Sequence, residues 1–419
     1  MRILWLKTEL LHPVDKGGKI RTYNMLKELK KDHHVTYLTL CEGSADEMAR
    51  AQANEYCHEL VCVSHKQREK FSPGFYAELV TNLASRLPYA IKKYESVEMR
   101  REIGRLTQDG KVNIAICDFL APAINVPSDL PCPTLLFQHN VEAMIWKRHF
   151  EVQTNPLKRN YLRIQWQKMR SFELDQCRAF DVVVAVSAED RDQMKHEYSV
   201  ERVFDVPTGV DTEFFRDSGT SPIDPHNLVF TGSMDWLPNE DAISYFIERI
   251  LPLIRHSIPD VSLTVVGRNP YARLVALSSR DPSVLVTGRV EDVRPFMEKA
   301  AVYIVPLRIG GGTRLKIFEA MSMKKAIVST TVGAEGLPVS AGSELRIGDT
   351  PEAFAAAVVD LLTKPDLAKQ IGERAGTVVR EKFGWAGVAK RFAEICENAV
   401  SKNSGSGRTF YARNEQPAA

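Results

Sequence analysis

The stretch with the most chemical capacity is Pro306-Leu307-Arg308-Ile309-Gly310-Gly311-Gly312-Thr313-Arg314-Leu315-Lys316-Ile317-Phe318-Glu319-Ala320-Met321. Three consecutive glycines let a chain turn sharply and let another molecule approach its backbone. The β-branched run Ala301-Val302-Tyr303-Ile304-Val305 before them suits a buried parallel strand, and Leu315, Phe318, Ala320 and Met321 after them suit a helix. Strand, glycine loop and helix together hold phosphate, because the first helical N–H groups lack intrahelical partners and carry partial positive charge. Arg314 and Lys316 add fixed charge. Glu319 falls near the second turn, where a carboxylate would repel phosphate and is better placed to accept hydrogen bonds from sugar hydroxyls. These types at this spacing describe a nucleotide-sugar site. There is no G-x-x-x-x-G-K-[ST], and position 315, where G-x-G-x-x-G would need Gly or Ala, is Leu. This argues against a P-loop ATPase and a nicotinamide dehydrogenase.

Other candidates are weaker alone. Gly17-Gly18 follows the first apolar run and is flanked by Lys16 and Lys19; it is either a plain turn or a second phosphate contact. His139 follows the apolar run Thr134 to Gln138 and is placed to contact a sugar or an acceptor. Asp190-Arg191-Asp192 spells a D-x-D metal motif, but on a helix capped by Ser187 positions 190 and 192 lie about 200° apart, so they do not share an ion. No other cluster has metal-ligand spacing. Between 147 and 170, Lys147, Arg148, Lys158, Arg159, Arg163, Lys168 and Arg170 face one acid, Glu151. That segment is either an exposed helix on a core or a surface that meets anionic lipid.

The elements that must position these residues alternate. Short apolar runs at Arg2–Lys7, 34–40, 60–64, 112–117, 134–138, 182–186 and 203–206 alternate with helical patterns, as in a doubly wound parallel sheet. Residues 207–226, rich in Pro, Gly, Ser and Asp, form a linker. The alternation restarts with strands at 228–230, 261–266, 284–286, 301–305, 326–329 and 344–347, a helix at about 239–256, and closing helices at about 351–363, 366–381 and 385–401. The tail, 403–419, is Ser, Gly and polar and is expected to be disordered. This predicts an α/β chain with a first domain over 1–206 and a second over 227–384, their strand ends facing a central cleft. A length of 419 residues suits two domains, and a net charge of +2 gives no reason to expect nucleic acid. Seven cysteines without paired spacing, no signal peptide and no apolar run of roughly 20 residues predict a reduced, cytoplasmic chain, at most peripheral to the inner face of a membrane.

Pro306 to Met321, followed by Lys325-Ala326-Ile327-Val328-Ser329-Thr330-Thr331-Val332-Gly333-Ala334-Glu335-Gly336-Leu337, resembles the donor half of glycosyltransferase family 4 (glycosyl transferases group 1), retaining enzymes of the GT-B fold. Thr208-Gly209-Val210-Asp211 with Phe214, and Thr231-Gly232-Ser233, match that family's linker and first donor strand; Gly288 and Asp292-Val293 match its next loop. Pro13 to Asn24 resembles the sugar transferases associated with bacterial exopolysaccharide and exosortase (PEP-CTERM) loci. The resemblance covers roughly residues 1 to 400 and is most specific in the donor half. It implies a metal-independent, cofactor-free hexosyltransferase that uses a UDP- or GDP-sugar and a glycan or lipid-linked glycan acceptor. It implies donor contacts at Gly232, Ser233, Gly310, Gly311, Gly312, Thr313, Arg314, Lys316 and Glu319, and catalytic roles for His139, Arg314 and Lys316. It also implies a phosphate or acceptor loop at Gly17 and Gly18, and a last helix, near Trp385 to Val400, that crosses back onto the first domain. Two departures stand out. Gly311 occupies the first position of the family's Glu-x7-Glu pair, and Ser233 stands where the family often has a diphosphate-gripping Arg, with Asn239 near its Lys. Arg314 and Lys316 are candidates to supply that charge. The rival readings are a nucleotide-sugar epimerase or hydrolase of the same fold, and a non-catalytic nucleotide-sugar binding protein.

Overall fold

The computed structural model describes residues 1–14, 17–42, 47–69, 71–153, 155–219, 221–309, 315–335, 337, 339 and 342–405. The chain divides into two compact units, Met1–Pro207 together with the chain from Ala389 onward, and Thr208–Val388.

The first unit holds seven strands: β1 (Arg2–Lys7), β2 (His34–Cys41), β3 (Glu59–Ser64), β4 (Ile114–Asp118), β5 (Thr134–Phe137), β6 (Val182–Ala185) and β7 (Val203–Asp205). They form one sheet in the order β3-β2-β1-β4-β5-β6-β7, every pair parallel. Every residue of β4 and β6 is buried, which is why these strands read as unbroken apolar runs: a parallel sheet is covered on both faces. The second unit holds β8 (Asp224–Thr231), β9 (Ser262–Val266), β10 (Val284–Val286), β11 (Ala300–Val305), β12 (Ala326–Ser329) and β13 (Arg346–Ile347), parallel in the order β10-β9-β8-β11-β12-β13. Each sheet reverses its strand order once, between β1 and β4 and between β8 and β11. In open α/β sheets ligands bind at such reversals, beyond the carboxyl ends of the strands.

Three details differ from the sequence expectation. β8 starts at Asp224, inside the segment read as linker, because Asp224 pairs with Ala300 of β11. The helix expected over 239–256 is Leu237–Tyr245, a π turn at Phe246–Ile250, then Leu251–Ser257; Pro252 lacks the N–H that would continue the α pattern. The last helix runs Trp385–Gly405, so 403–405 continue it, and the rest of the expected tail lies outside the described residues. In the first unit Phe392 of that helix packs 5.7 Å from Trp5 and 5.0 Å from Phe137, between ring centres.

Candidate active site

In the second unit the chain leaves β8 at Gly232-Ser233, beside the strand-order reversal. The backbone there is packed too closely for a side chain: a Cβ on Gly267, just after β9, would lie 1.7 Å from the Gly232 carbonyl oxygen. A Cβ on Gly232 would lie 2.8 Å from both Lys316 Nζ and Asn239 Nδ2. Lys316, on the helix Leu315–Ser322 after β11, donates to Asn239 Oδ1 at 2.8 Å and stands 4.1 Å above the Phe230 ring. Asn239 is buried and donates in turn to the Ser233 carbonyl at 2.9 Å. From the other neighbouring strand, Arg268 Nε donates to Ser233 Oγ at 2.9 Å and lies 3.9 Å from Asp235 Oδ2. Ser233 Oγ also donates to Asp235 Oδ1 at 2.6 Å. Two cations, one from after β11 and one from after β9, thus meet consecutive residues at the end of β8.

Glu319 lies one turn beyond Lys316 on the same helix. Burial pushes its carboxyl up to about 7, against the pull of Lys316. An acid poised near neutrality is a ready hydrogen-bond partner for hydroxyls. Gly310, Gly311, Gly312, Thr313 and Arg314 lie outside the described residues.

The first unit carries a second polar cluster at its own reversal. Asp118 ends β4, and its Oδ2 accepts from Lys7 Nζ at 2.8 Å, Thr22 Oγ1 at 2.6 Å and Trp5 Nε1 at 3.1 Å. Burial would raise the carboxyl, yet Lys7 and His139 outweigh it and hold Asp118 below the usual carboxylate range. His139 Nε2 is 2.7 Å from Asp118 Oδ1, without the alignment of a hydrogen bond. The imidazole is 3% exposed, stacked 3.8 Å from the Phe119 ring. Burial drives its pKa down to about 3 in spite of Asp118, so it is neutral in the folded chain at pH 7. Phe119 holds a positive φ of 71°, and its ring edge would be 2.7 Å from a Cβ on Gly18. A side chain at position 18 would therefore need the Phe119 ring to shift. A Cβ on Gly17, where the helix Gly17–Asp32 opens, meets nothing within 4 Å among the described residues.

The structure thus brings Lys316, Gly232 and Ser233 together with Glu319 one turn away, and separately groups Gly18 with His139. Sequence reading missed Arg268, Asp118, Lys7 and Thr22. The available signal was a charged residue ending or following a buried strand: Lys7 after β-branched and apolar residues, Asp118 after Ile116-Cys117, and Arg268 after Val265-Val266-Gly267.

Ser187 caps the helix Ala188–Tyr198, its Oγ accepting from Asp190 N at 3.0 Å, and Arg191 bridges Asp192 and Asp205. The D-x-D spelling is thus a capped, ion-paired helix start. Among the described residues no group of three or more His, Cys, Asp or Glu is placed to hold a metal, and no helix is long and apolar enough to cross a membrane. All seven cysteines are free thiols.

Comparison with known proteins gives two family matches. Residues 16–214 match the family described as Glycosyltransferase Family 4, and residues 225–364 match that described as Glycosyl transferases group 1. A protein of Klebsiella pneumoniae, described as an uncharacterized 44.6 kDa protein in the cps region, is 21% identical over 394 residues, 91% of this chain and 96% of its own length. Among solved structures, a sucrose-phosphate synthase of Thermosynechococcus elongatus aligns with a TM-score of 0.67 at 14% identity, covering 96% of this chain and 100% of that one. HepE of Anabaena, solved in complex with UDP, aligns with a TM-score of 0.65 at 12% identity over 95% of this chain and 100% of that one.

Proposed function

The chain belongs to glycosyltransferase family 4, the group 1 glycosyl transferases, and has the GT-B fold, and from this premise we propose that it moves a hexose from a nucleotide-diphosphate sugar to a glycan or lipid-linked glycan, with retention, in bacterial exopolysaccharide synthesis. The observation that carries the donor assignment is the convergence of Lys316 and Arg268 on Gly232-Ser233. Charge that small glycine backbone and a serine cannot supply themselves comes from both neighbouring strands. A diphosphate is the ligand such a pair of cations suits, and the complex of HepE with UDP supports the same class.

In this proposal the anomeric carbon–oxygen bond to the diphosphate breaks as the acceptor oxygen bonds from the same face, and the acceptor proton leaves with the diphosphate. The carbon passes through an oxocarbenium-like state, so the site's main work is to stabilise the departing charge with groups fixed in advance. Lys316, Arg268, Arg314 and the amides around Gly310, Gly311, Gly312 and Thr313 take that role. Glu319 takes the ribose hydroxyls. Gly17 and Gly18 belong to the acceptor or phosphate loop, and His139 to the sugar or acceptor side. With the imidazole stacked on Phe119, contact with a sugar requires that ring to swing away. The scheme uses no metal and no cofactor.

A charge-assisted hydrogen bond contributes about 1.5–3 kcal/mol, so Arg268→Ala, Lys316→Ala and Arg314→Ala should each raise donor KM by roughly 10- to 100-fold. The test is steady-state kinetics across a panel of UDP- and GDP-sugars, with product analysis separating released nucleotide from isomerised donor. Unchanged donor KM in Arg268→Ala and Lys316→Ala would overturn the donor assignment. Isomerised donor, or nucleotide release indifferent to acceptor, would replace transfer by epimerisation or hydrolysis. Donor binding without turnover on any acceptor would favour a binding protein.

A further inference from the structure

The first unit exposes an apolar helix face that its own core does not use. On the helix Pro73–Asn82 and the residue after it, Tyr76, Val80 and Leu83 are spaced four and three apart, so they share one face; they are 53%, 67% and 44% exposed. Pro73, Ala77 and Ala84 are exposed as well, and Phe71, just before the helix, is 77% exposed. The helix's one charge, Glu78, is tied up by Arg68 at 3.0 Å and the Tyr89 hydroxyl at 3.1 Å. The exposed face is therefore unbroken by charge.

Its surroundings are basic. Residues 65–93 contain six Lys or Arg against two Glu, and 147–170 contain seven against one, although the whole chain carries only +2. Among the described residues Lys66 and Arg86 have no acidic partner. Lys168 donates to the carbonyls of Asn82 at 2.7 Å and Leu83 at 3.2 Å, which sets the basic helix Pro156–Ala179 against the end of the apolar one. On the opposite side of the helix, past Phe75 and Asn82, a cavity of about 940 Å³ is lined by Lys66, Arg68, Lys92 and Lys93 together with Glu69 and Glu78.

We propose that the helix Pro73–Asn82 is a membrane-docking element: its apolar face enters the headgroup–acyl boundary while the basic rim binds anionic lipid. An apolar helix face with a basic flank is the arrangement that lies in a lipid interface. A second copy of this chain is the poorer occupant, since a two-fold pairing would set the same basic rim against itself. The inference extends the proposed function by placing the contact on this helix, with 147–170 as its flank. It is read without donor or turnover, so its failure would leave the transfer reaction standing.

The test is co-sedimentation of the full chain with phosphatidylcholine vesicles, with and without phosphatidylglycerol. The native chain should pellet with the anionic vesicles and release as salt rises. Val80→Glu with Leu83→Glu should lower the partition coefficient by about tenfold or more while leaving the melting temperature unchanged. Because two acidic substitutions can disturb packing, Lys66→Glu serves as a second variant, expected to weaken binding to anionic vesicles alone. Equal pelleting of native chain and variants, or none at low salt, overturns the proposal. So does sedimentation showing a dimer that Val80→Glu dissolves, which would assign the face to a second copy.

Discussion

Lys316 and Arg268 show how this chain gathers charge where its own strand ends in Gly232-Ser233. Neither is close to that strand in sequence; the β9-β8-β11 order brings them there. Lys316 drew attention in the sequence because it lies in one short stretch with recognisable chemistry; Gly310, Gly311 and Gly312 of the same stretch lie outside the described residues. Arg268 was not legible, because its partner Ser233 is 35 residues away and only strand register makes them neighbours. Asp118 was hidden for the same reason, with Lys7 separated from it by 111 residues. His139 was found by its position after β5, but its surroundings were not: a buried imidazole between Phe119 and Phe137. Those surroundings have a pH signature. The folded imidazole takes a proton only near pH 3, the unfolded one near 6.5. Between those values the unfolded chain binds more protons, so this group's contribution to stability is complete above pH 6.5 and is lost as pH falls toward 3. The melting temperature of the native chain should therefore fall relative to that of His139→Gln as pH drops from 7 to 5, whatever their gap at pH 7. A gap independent of pH would contradict the buried neutral imidazole.

At the scale of elements, the helix Leu315–Ser322 owes its position to the helix Pro365–Phe383 beneath it. Gly372 faces the turn after the first helix so closely that a Cβ would be 2.0 Å from the Lys324 carbonyl oxygen, whereas at Gly376 it would be 3.0 Å from the flexible Lys324 side chain. Lys324 itself holds a φ of 55°. Gly372→Ala must push backbone against backbone and is expected to cost about 1–3 kcal/mol. It should also raise donor KM by shifting Lys316 and Glu319, while Gly376→Ala is milder in both. Denaturant melts and donor kinetics of the two variants check this; equal effects would contradict it. Most strands were legible, because strands buried on both faces leave continuous apolar runs such as Val182–Ala185. The π turn at Phe246–Ile250 was not, since the apolar pattern continues through it and only Pro252 marks the break. The early start of β8 was also missed: Asp224 looks like linker and is held as strand by pairing with Ala300 of β11.

At the scale of the whole molecule, the two units repeat one plan: a parallel sheet whose strand order reverses once, with charged residues gathered at the reversal. In the first unit that charge is already paired, Asp118 with Lys7. In the second, Arg268 lies 3.9 Å from Asp235 and keeps a guanidinium that is 44% exposed, suited to an incoming anion. The division into two units was legible from the linker composition and the restarted alternation, and the exposed apolar face of the helix Pro73–Asn82 was not, because an exposed apolar stripe and a buried one have the same periodicity. The most direct test of the central claim is the position of a bound nucleoside diphosphate in crystals of the full chain soaked with UDP or GDP. The account predicts its phosphates against Lys316 and Arg268 at the end of β8, with the ribose toward Glu319. Phosphates bound elsewhere, away from Lys316 and Arg268, would contradict it.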